Sequence, residues 1–440
     1  MKTDNSLIKK YRLTIGATLI AASVFACNSN IDEEIKETEN GCEATSEISS
    51  NAVAEATAEP ATAHQYIAPR DGDSYYSISE DGISIEVRAQ RGGTCWTNAA
   101  ASSMEANYIR KYGIAPILDP NDMVLSIYDP DKEEGWFVSG NYMDIGGWNW
   151  LVAESISNGY NGYVLEYARN LGEECDIDRM KECLVKYGPI VVATNDNSGR
   201  KANIDGYMTF NAPYDDDFDH AVLIIGWDDN FPADYFHINA KENGAWLCQN
   251  SKGAGWGENG TYWVSYENPF SERTAFAITS DYSEVATYDY GNENRIETGE
   301  ETVIANVFHK EGLLAAVGTF TGGDNQEYTI EVYDEHMENL LSTVDACMDI
   351  NGYQIVELPE PIEVSDYAIV IRFKGSAPVE GESFSIEDIR AEFRATCEEG
   401  QSFVLIDGQW EDLADEATAE KLGIDFVPNN ACIKGLYIEN

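Results

Sequence analysis

The chain has 440 residues, of which 43% are apolar and 11% aromatic. This length exceeds that of one compact core, so two or more globular domains are expected. The 28 basic and 78 acidic residues give a formal net charge of −50, which repels nucleic acid and anionic lipid and argues against both as partners.

The first 27 residues have the pattern of a secretory signal peptide. Basic residues precede the apolar run Leu13–Ala26, which is too short to span a bilayer comfortably. Cys27 follows in "VFAC", which resembles the cleavage and lipidation site of bacterial lipoproteins, although Phe25 is bulkier than that site usually carries. An extracellular location is therefore expected, with plain secretion and a lipid anchor at the bacterial surface both left open. No other run is long enough to be a transmembrane span.

Residues 28–74 are predicted to form a disordered acidic tether. The segment is rich in Ala, Thr, Ser and Glu, and residues 28–63 contain no aromatic side chain, so it cannot bury a core. The whole chain has nine cysteines, an odd and sparse set that argues against a disulfide scaffold. No CxxC pair or His/Cys cluster indicates a metal site, and no cofactor is expected.

Residues 75–282 have a helical half followed by a strand-rich half. The first predicted helix ends at Gly113, the second lies in "GGWNWLVAESISNG", and Asp176 is placed to cap a third. The apolar stripe of the first helix consists of Trp96, Ala100, Met104 and Tyr108. The runs that predict strands are "PIVVAT", "HAVLIIGW", "YFHIN", "AWLCQN" and "TYWVSYE".

Residues 285–440 contain short alternating runs separated by turn residues, a spacing that is typical of an antiparallel β-sandwich. These runs are "YTIEVYD", "GYQIVELP", "DYAIVIRFK", "SFVLID" and "ACIKGLYI". The predicted fold class is therefore α+β, with a two-lobed first domain followed by a β-sandwich.

A nucleophilic cysteine is indicated at the start of the first helix. Cys95 follows a glycine turn in "QRGGTCWTNAA", and a helix N-terminus favours the thiolate form of a cysteine. A neighbouring imidazolium favours it further, so a histidine is required from elsewhere in the fold.

His220 is the best placed of the five histidines to act as the base. His64 lies in the tether, His309 and His336 lie in the predicted sandwich, and His237 alternates with apolar residues in "YFHIN". His220 opens the core strand "HAVLIIGW", where it would be held rigidly. Asn250 in "CQNSKGAGWGENG" can orient an imidazole from the end of another strand. The ordered set of Cys95, His220 and Asn250 predicts acyl transfer.

These residues and their surroundings resemble the papain family of cysteine peptidases, in particular bacterial secreted members with a C-terminal lectin-like domain. The resemblance covers roughly residues 80–440 and depends most on the ordered triad and on "GWGENG". It is also carried by "VRAQRGGTCW", "YGPIVVA", "DHAVLIIGWDDN" and "GQSFVLIDGQWEDLAD". It implies a papain-like peptidase domain over 75–282 and a lectin-like domain over 285–440.

The resemblance also implies a role for further residues. Gln90 would donate to the oxyanion beside the Cys95 amide. Gly146 and Gly147 would form the edge that pairs with substrate backbone. Asp219 would lie at the cleft next to His220. Trp256 would pack near the Asn250 loop. Substrates would be proteins or peptides, and the lectin-like domain would take cell-surface or glycan ligands.

Four departures from the family pattern keep a second hypothesis open. The cysteine that the family often carries in the loop before the nucleophile is missing, and Thr97 and Asn98 replace the usual small-aromatic pair. Gln90 is five residues before Cys95 rather than the usual six, and Lys252 replaces the tryptophan that shields the His–Asn hydrogen bond. The acidic run at 215–219 is the expected neutraliser of Lys252. The main alternative is a weak or inactive papain-fold scaffold that acts as an adhesin. A cell-wall amidase or transglutaminase-like enzyme is disfavoured, because such enzymes lack the Asn-Ser loop.

Overall fold

The structure is a computed structural model, and it describes residues 73–439 except 130, 174, 197, 215–217, 292 and 387–390. The predicted signal peptide, the Cys27 site and the tether up to residue 72 lie outside the described residues. Residues 215–217 of the acidic run are likewise outside them.

Five α-helices lie in the described part of the chain: α1 (Cys95–Tyr112), α2 (Pro120–Ile127), α3 (Asn149–Ile156), α4 (Ile177–Tyr187) and α5 (Glu416–Leu422). The three predicted helices are confirmed as α1, α3 and α4. Gly113 ends α1 in the left-handed region (φ 73°), and the Asp176 side chain accepts a hydrogen bond from the N–H of Arg179 at 2.8 Å. The helix α2 was not predicted, although Asp119 caps it and Pro120 starts it, as in many helices.

Ten strands belong to the first domain: β1 (Tyr75–Ser77), β2 (Gly135–Val138), β3 (Val164–Asn170), β4 (Ile190–Thr194), β5 (Lys201–Ile204), β6 (Tyr207–Phe210), β7 (His220–Asp228), β8 (Ala245–Gln249), β9 (Thr261–Ser265) and β10 (Ser271–Thr279). The sheet at the centre of this domain is largely antiparallel. β7 pairs with β4, β8 and β1, and β10 pairs with both β3 and β4.

The helix α1 runs through the core rather than across its surface. Every residue from Cys95 to Tyr108 is buried, including polar ones, and α1 packs against β7 and β10. Its buried polar side chains bond to the backbone of these neighbours, as when Asn107 Nδ2 donates to Phe276 O at 2.8 Å. The predicted apolar stripe is therefore confirmed, but it is only part of the buried surface of this helix.

The predicted strand "YFHIN" is wrong. Ala233–Tyr235 form a 3-10 turn, and the residues that follow pair with no strand. Phe236 is buried in a small aromatic cluster, while the carbonyl of Ile238 accepts from the Asn211 side chain (2.9 Å) instead of from a neighbouring strand. His237 is exposed and lies outside any sheet.

Twelve strands follow: β11 (Glu284–Ala286), β12 (Glu293–Ile296), β13 (Glu301–Phe320), β14 (Gln326–Asp334), β15 (Leu340–Met348), β16 (Gly352–Lys374), β17 (Ala377–Glu380), β18 (Phe384–Ile386), β19 (Ala391–Arg394), β20 (Ser402–Ile406), β21 (Gln409–Asp412) and β22 (Ile433–Ile438). Their mutual pairings are antiparallel. The runs "GYQIVELP" and "DYAIVIRFK" are two halves of β16, which pairs along its length with β13, a strand that the sequence analysis did not predict. The α+β class with an antiparallel, β-rich C-terminal domain is confirmed.

The two domains share strand pairings and a continuous core. β3 pairs with β16 at Arg169 and Gly352, and β2 pairs with β19. The largest buried cluster combines side chains of the first domain with Phe320, Tyr353 and Phe393 of the second. We propose that the boundary lies between 282 and 285, after the end of β10 and at the start of β11.

Two further features concern the described residues alone. None of their helices is long and apolar enough to cross a membrane. None of the seven described cysteines, from Cys95 to Cys432, forms a disulfide bond.

Candidate active site

Cys95 is the first residue of α1, and its side chain is fully buried. A glycine turn leads into the helix: Gly92 has a φ of 63°, and a Cβ there would lie 2.5 Å from Met143 O. The N–H of Gly93 donates to the same carbonyl at 2.6 Å. Because the first N–H groups of a helix carry partial positive charge, this position favours a thiolate.

His220 is the first residue of β7, and only 3% of it is exposed. The strand lies between β4 and β8, and α1 packs against it. A cavity beside it is lined by Asn98 and Ala99 of α1, by Ala221 and by Asn250. The start of α1, the start of β7 and the loop after β8 therefore meet at one place.

Asn250 follows β8 directly, and its Oδ1 lies 2.9 Å from His220 Nε2. The residue is buried, and its N–H donates to Gly260 O at 2.9 Å, which closes the loop that follows. Since Nε2 is engaged by Asn250, Nδ1 is the ring nitrogen left to exchange a proton with a thiol. This is the arrangement that orients a histidine as a general base.

The loop before Cys95 is tied to the loop after Asn250. Gln90 N–H donates to Ser251 O at 2.8 Å, and Ser251 Oγ donates to Gln90 Oε1 at 2.5 Å. Gln90 Nε2 donates to Gly92 O at 2.8 Å, within its own loop. The structure thus brings Gln90 beside the Asn250 segment, while donation to a substrate oxyanion stays a prediction.

Gly146 and Gly147 lie next to the start of α1. Tyr128 OH donates to Gly146 O at 3.0 Å, and Gly146 has a φ of 83°. A Cβ on Gly147 would lie 2.5 Å from the Trp96 indole, so only glycine lets the backbone approach this ring. Substrate pairing along this edge stays a prediction.

Asp219 connects the segments that precede and follow the histidine strand. Its N–H donates to Thr194 O at 3.2 Å, and its Oδ1 accepts from the N–H of Asp196 at 2.8 Å. These two hydrogen bonds of Asp219 therefore hold the segment after β4 beside His220. A role at the substrate cleft stays a prediction.

Lys252 forms an ion pair with Asp196 rather than with a described residue of the acidic run. Lys201 pairs with the same carboxylate, and both ammonium groups lie 5.7 Å from the centre of the Trp256 ring. Asp196 and Lys201 were not predicted as site residues, although the "ND" directly after the core strand "PIVVAT" was an available signal. Trp256 also packs edge-on against Tyr262, with ring centres 5.1 Å apart. This contact holds near the Asn250 loop the ring over which the two ammonium groups lie.

The Asp196 carboxylate is charged at neutral pH. Burial raises its pKa, but the charges of His220 and Lys201 and the hydrogen bonds from Lys201 and Lys252 lower it more, so the pKa lies below the ordinary value. A negative charge is thus held next to the histidine.

The remaining described histidines lie away from this constellation. His237 is exposed, and His309 and His336 lie on the surface of the C-terminal domain. In the described part of the chain, the one group of three side chains close enough to share a metal ion is exposed and comprises His309, Glu335 and Asp366.

Two family models match the chain. Residues 156–283 match the papain family cysteine protease model, and residues 286–436 match the lectin like domain model. The first match includes His220 and Asn250 but begins after Cys95, so the role of the thiol stays a prediction. No curated protein matches the chain.

Two solved structures are similar over most of the chain. The clostridial cysteine protease Cwp84 after propeptide cleavage matches with a TM-score of 0.66 and 19% identity, over 83% of this chain and 99% of that one. The cysteine protease and lectin-like domains of Cwp84, a surface layer associated protein of Clostridium difficile, match with a TM-score of 0.67 and 18% identity, over 86% and 91%. At these identities the likeness shows the fold: a papain-like domain followed by a lectin-like domain.

Proposed function

Because the chain carries a papain-family cysteine peptidase domain and a lectin-like domain, we propose that it is an extracellular cysteine endopeptidase. It is secreted or held at the bacterial surface by a lipid on Cys27. The lectin-like domain holds the enzyme near cell-surface or glycan ligands, and the substrates are proteins or peptides.

The proposed reaction uses four side chains, of which Cys95 and His220 exchange bonds or protons with the substrate and Asn250 and Gln90 support them. The Cys95 thiolate attacks the carbonyl carbon of a peptide bond, and the His220 imidazolium gives its proton to the departing amine. Water then attacks the thioester while neutral His220 takes a proton from it, which releases the acid and restores the thiolate–imidazolium pair. Asn250 fixes the ring through Nε2, and Gln90 with the Cys95 amide stabilises the oxyanion.

The observation that carries this proposal is the buried His220–Asn250 hydrogen bond of 2.9 Å beside the helix that begins at Cys95. A purely structural histidine needs neither an asparagine orienter nor a helix N-terminus with a thiol at its first residue. The alternative, an adhesin with a weak or inactive papain-fold scaffold, is favoured by one observation: Gln90 Nε2 bonds to Gly92 O within its own loop.

The test is labelling with a thiol-directed epoxide followed by a peptide-library cleavage assay. Cys95 is buried and Cys347 is exposed, so Cys347 is the matched control for accessibility. We expect labelling at Cys95 well ahead of Cys347, only in folded protein, together with peptide hydrolysis that Cys95→Ala abolishes. Labelling at Cys347 alone with no hydrolysis would establish the scaffold alternative. Labelling at Cys95 with no peptide cleavage would indicate another acyl-transfer activity.

A further inference from the structure

Three charged side chains form a cluster next to the catalytic pair. In this Asp196 cluster, one carboxylate oxygen accepts from Lys252 Nζ and the other accepts from Lys201 Nζ. The two ammonium groups lie at equal distances from the Trp256 ring, 5.7 Å from its centre. The cluster is partly shielded from water, since the side chains of Asp196, Lys201 and Lys252 are 23%, 11% and 33% exposed.

Backbone pairings fix the cluster beside the imidazole. Thr194 faces His220 across the β4–β7 ladder, and Asp196 lies two residues further along. The N–H of Asp196 donates to Asp219 Oδ1 at 2.8 Å, which locks this turn against the residue before His220. Lys252 lies two residues after Asn250, so the cluster adjoins both members of the hydrogen bond.

The charges of the cluster act on the proton equilibrium of the imidazole. Two ammonium groups beside an imidazole disfavour imidazolium by like-charge repulsion, and a carboxylate favours it. The partly buried site screens these interactions less than bulk water does. The described titratable or charged groups around His220 and Asn250 come from every neighbouring element. They are Cys95 of α1, Asp196 after β4, Lys201 of β5, Asp219 before β7, Lys252 after β8, Tyr262 of β9 and Arg88, which lines the cavity next to Asn250.

We propose that Asp196 is a positioning residue for His220: its carboxylate holds Lys201 and Lys252 over Trp256 and offsets their charge, so that His220 keeps its proton while Cys95 is a thiolate. The inference rests on the proposed function, because it assigns Asp196 a part in sustaining that ion pair. Asp196 itself touches neither substrate nor the reacting sulfur.

The test is the pH dependence of Cys95 alkylation by iodoacetamide, which needs no peptide substrate. In wild type, the rate rises as the thiol ionises and changes again as the imidazolium loses its proton. Asp196→Asn removes a negative charge, so both inflections should move to lower pH. Lys252→Met removes a positive charge, so both should move to higher pH. We expect each shift to be about half a unit or more, since a nearby charge typically shifts a pKa by about 1–3 units.

Two kinds of control separate this role from general damage. Asp196→Glu keeps the charge and should restore the inflections toward wild type. Lys181 and Asp229 form a similar pair over Trp227 at the far end of β7, about 27 Å away at the usual rise per strand residue. Lys181→Met and Asp229→Asn should therefore leave both inflections in place.

The outcomes are distinguishable. Inflections that stay in place in folded Asp196→Asn and Lys252→Met, with a wild type that alkylates rapidly, overturn this inference and spare the proposed function. A wild type in which Cys95 reacts no faster than an ordinary thiol overturns both. If Asp196→Asn fails to fold, Lys252→Met still decides, because its predicted shift has the opposite sign.

Discussion

The hydrogen bond between His220 and Asn250 is buried at both ends, which makes it costly to lose. Asn250 Nδ2 has no hydrogen-bond partner among the described residues. The side-chain amide is therefore held by the contact of its Oδ1 with His220 Nε2 and by packing. Loss of Asn250 would therefore remove the Oδ1 contact that holds the His220 ring at Nε2.

Asn250→Ala should lower kcat/KM for peptide hydrolysis by roughly 10- to 150-fold, because a hydrogen bond to a charged group contributes about 1.5–3 kcal/mol. The measurement is steady-state hydrolysis with folding checked by circular dichroism. Asn250→Asp keeps an acceptor and should retain more activity, with the alkaline limb of its pH profile moved upward, since a carboxylate favours imidazolium. An alanine variant within threefold of wild type would show that Asn250 does not orient the base.

At the scale of elements, the start of α1 depends on glycines that let other segments approach it. Gly92 accommodates Met143 O, and Gly147 lies on the face of the Trp96 ring. Trp96 is buried and directly follows Cys95, so a group that displaced its ring would also displace the first turn of the helix. The position of the thiol is thus set by two loops as well as by the helix.

Gly147→Ala should reduce both stability and turnover. The added methyl would overlap the Trp96 ring, and overpacking in a core costs about 1–3 kcal/mol. Gly255→Ala is the matched control, since a Cβ there meets nothing within 4 Å. Urea unfolding and peptide hydrolysis are measured on both variants. Equal behaviour of the two would contradict the steric argument.

At the scale of the whole molecule, buried polar groups join the two domains. Arg169 of β3 donates to Tyr353 O at 2.9 Å and to Gln354 Oε1 at 2.8 Å across the junction. The side chain of Glu293 in β12 is only 6% exposed, and the N–H of this residue donates to Glu154 Oε1 of α3 at 2.9 Å. Because these contacts are lost if the domains are separated, we expect each domain to be less stable without the other.

Arg169→Met should lower the free energy of unfolding by roughly 1–3 kcal/mol, because it leaves buried acceptors without their donor. Lys374→Met is the control: its ion pair with Glu327 is exposed, so little change is expected. Chemical unfolding followed by tryptophan fluorescence checks both variants. A loss no larger than that of the control would mean that Arg169 is dispensable at the junction.

Glu293 should make the protein less stable as the pH rises from about 4.5 to about 7. Burial raises its pKa from 4.5 to about 7, so in this window the folded state holds a proton that the unfolded state has released. Stability from this group is complete below the lower value and lost as the pH passes the higher one. Glu293→Gln should flatten that part of the profile, measured as unfolding midpoints between pH 4.5 and 8. Glu327→Gln, at an exposed site, should not; an unchanged slope in Glu293→Gln would refute the assignment.

Sequence patterns captured the local features of the fold. Period, caps and turn residues located α1, α3 and α4, because these signals lie in neighbouring residues and need no tertiary contact. The same reasoning failed at "YFHIN", where an aromatic cluster overrides the alternating pattern. It also failed at β13, where the polar run "HKEG" interrupts the apolar pattern at an irregularity in the strand register.

The order and setting of Cys95, His220 and Asn250 were determined by the sequence alone. A helix start, a strand start and a strand end are each indicated by residues that are neighbours in the chain. The tertiary structure decided which carboxylate meets Lys252. Asp196 is 56 residues away from it, and the two meet through the pairing of β4 with β7 and of β7 with β8. Sheet register also joined the two domains at Arg169 and buried Glu293. Such contacts depend on distances between residues remote in the chain, which no local pattern encodes.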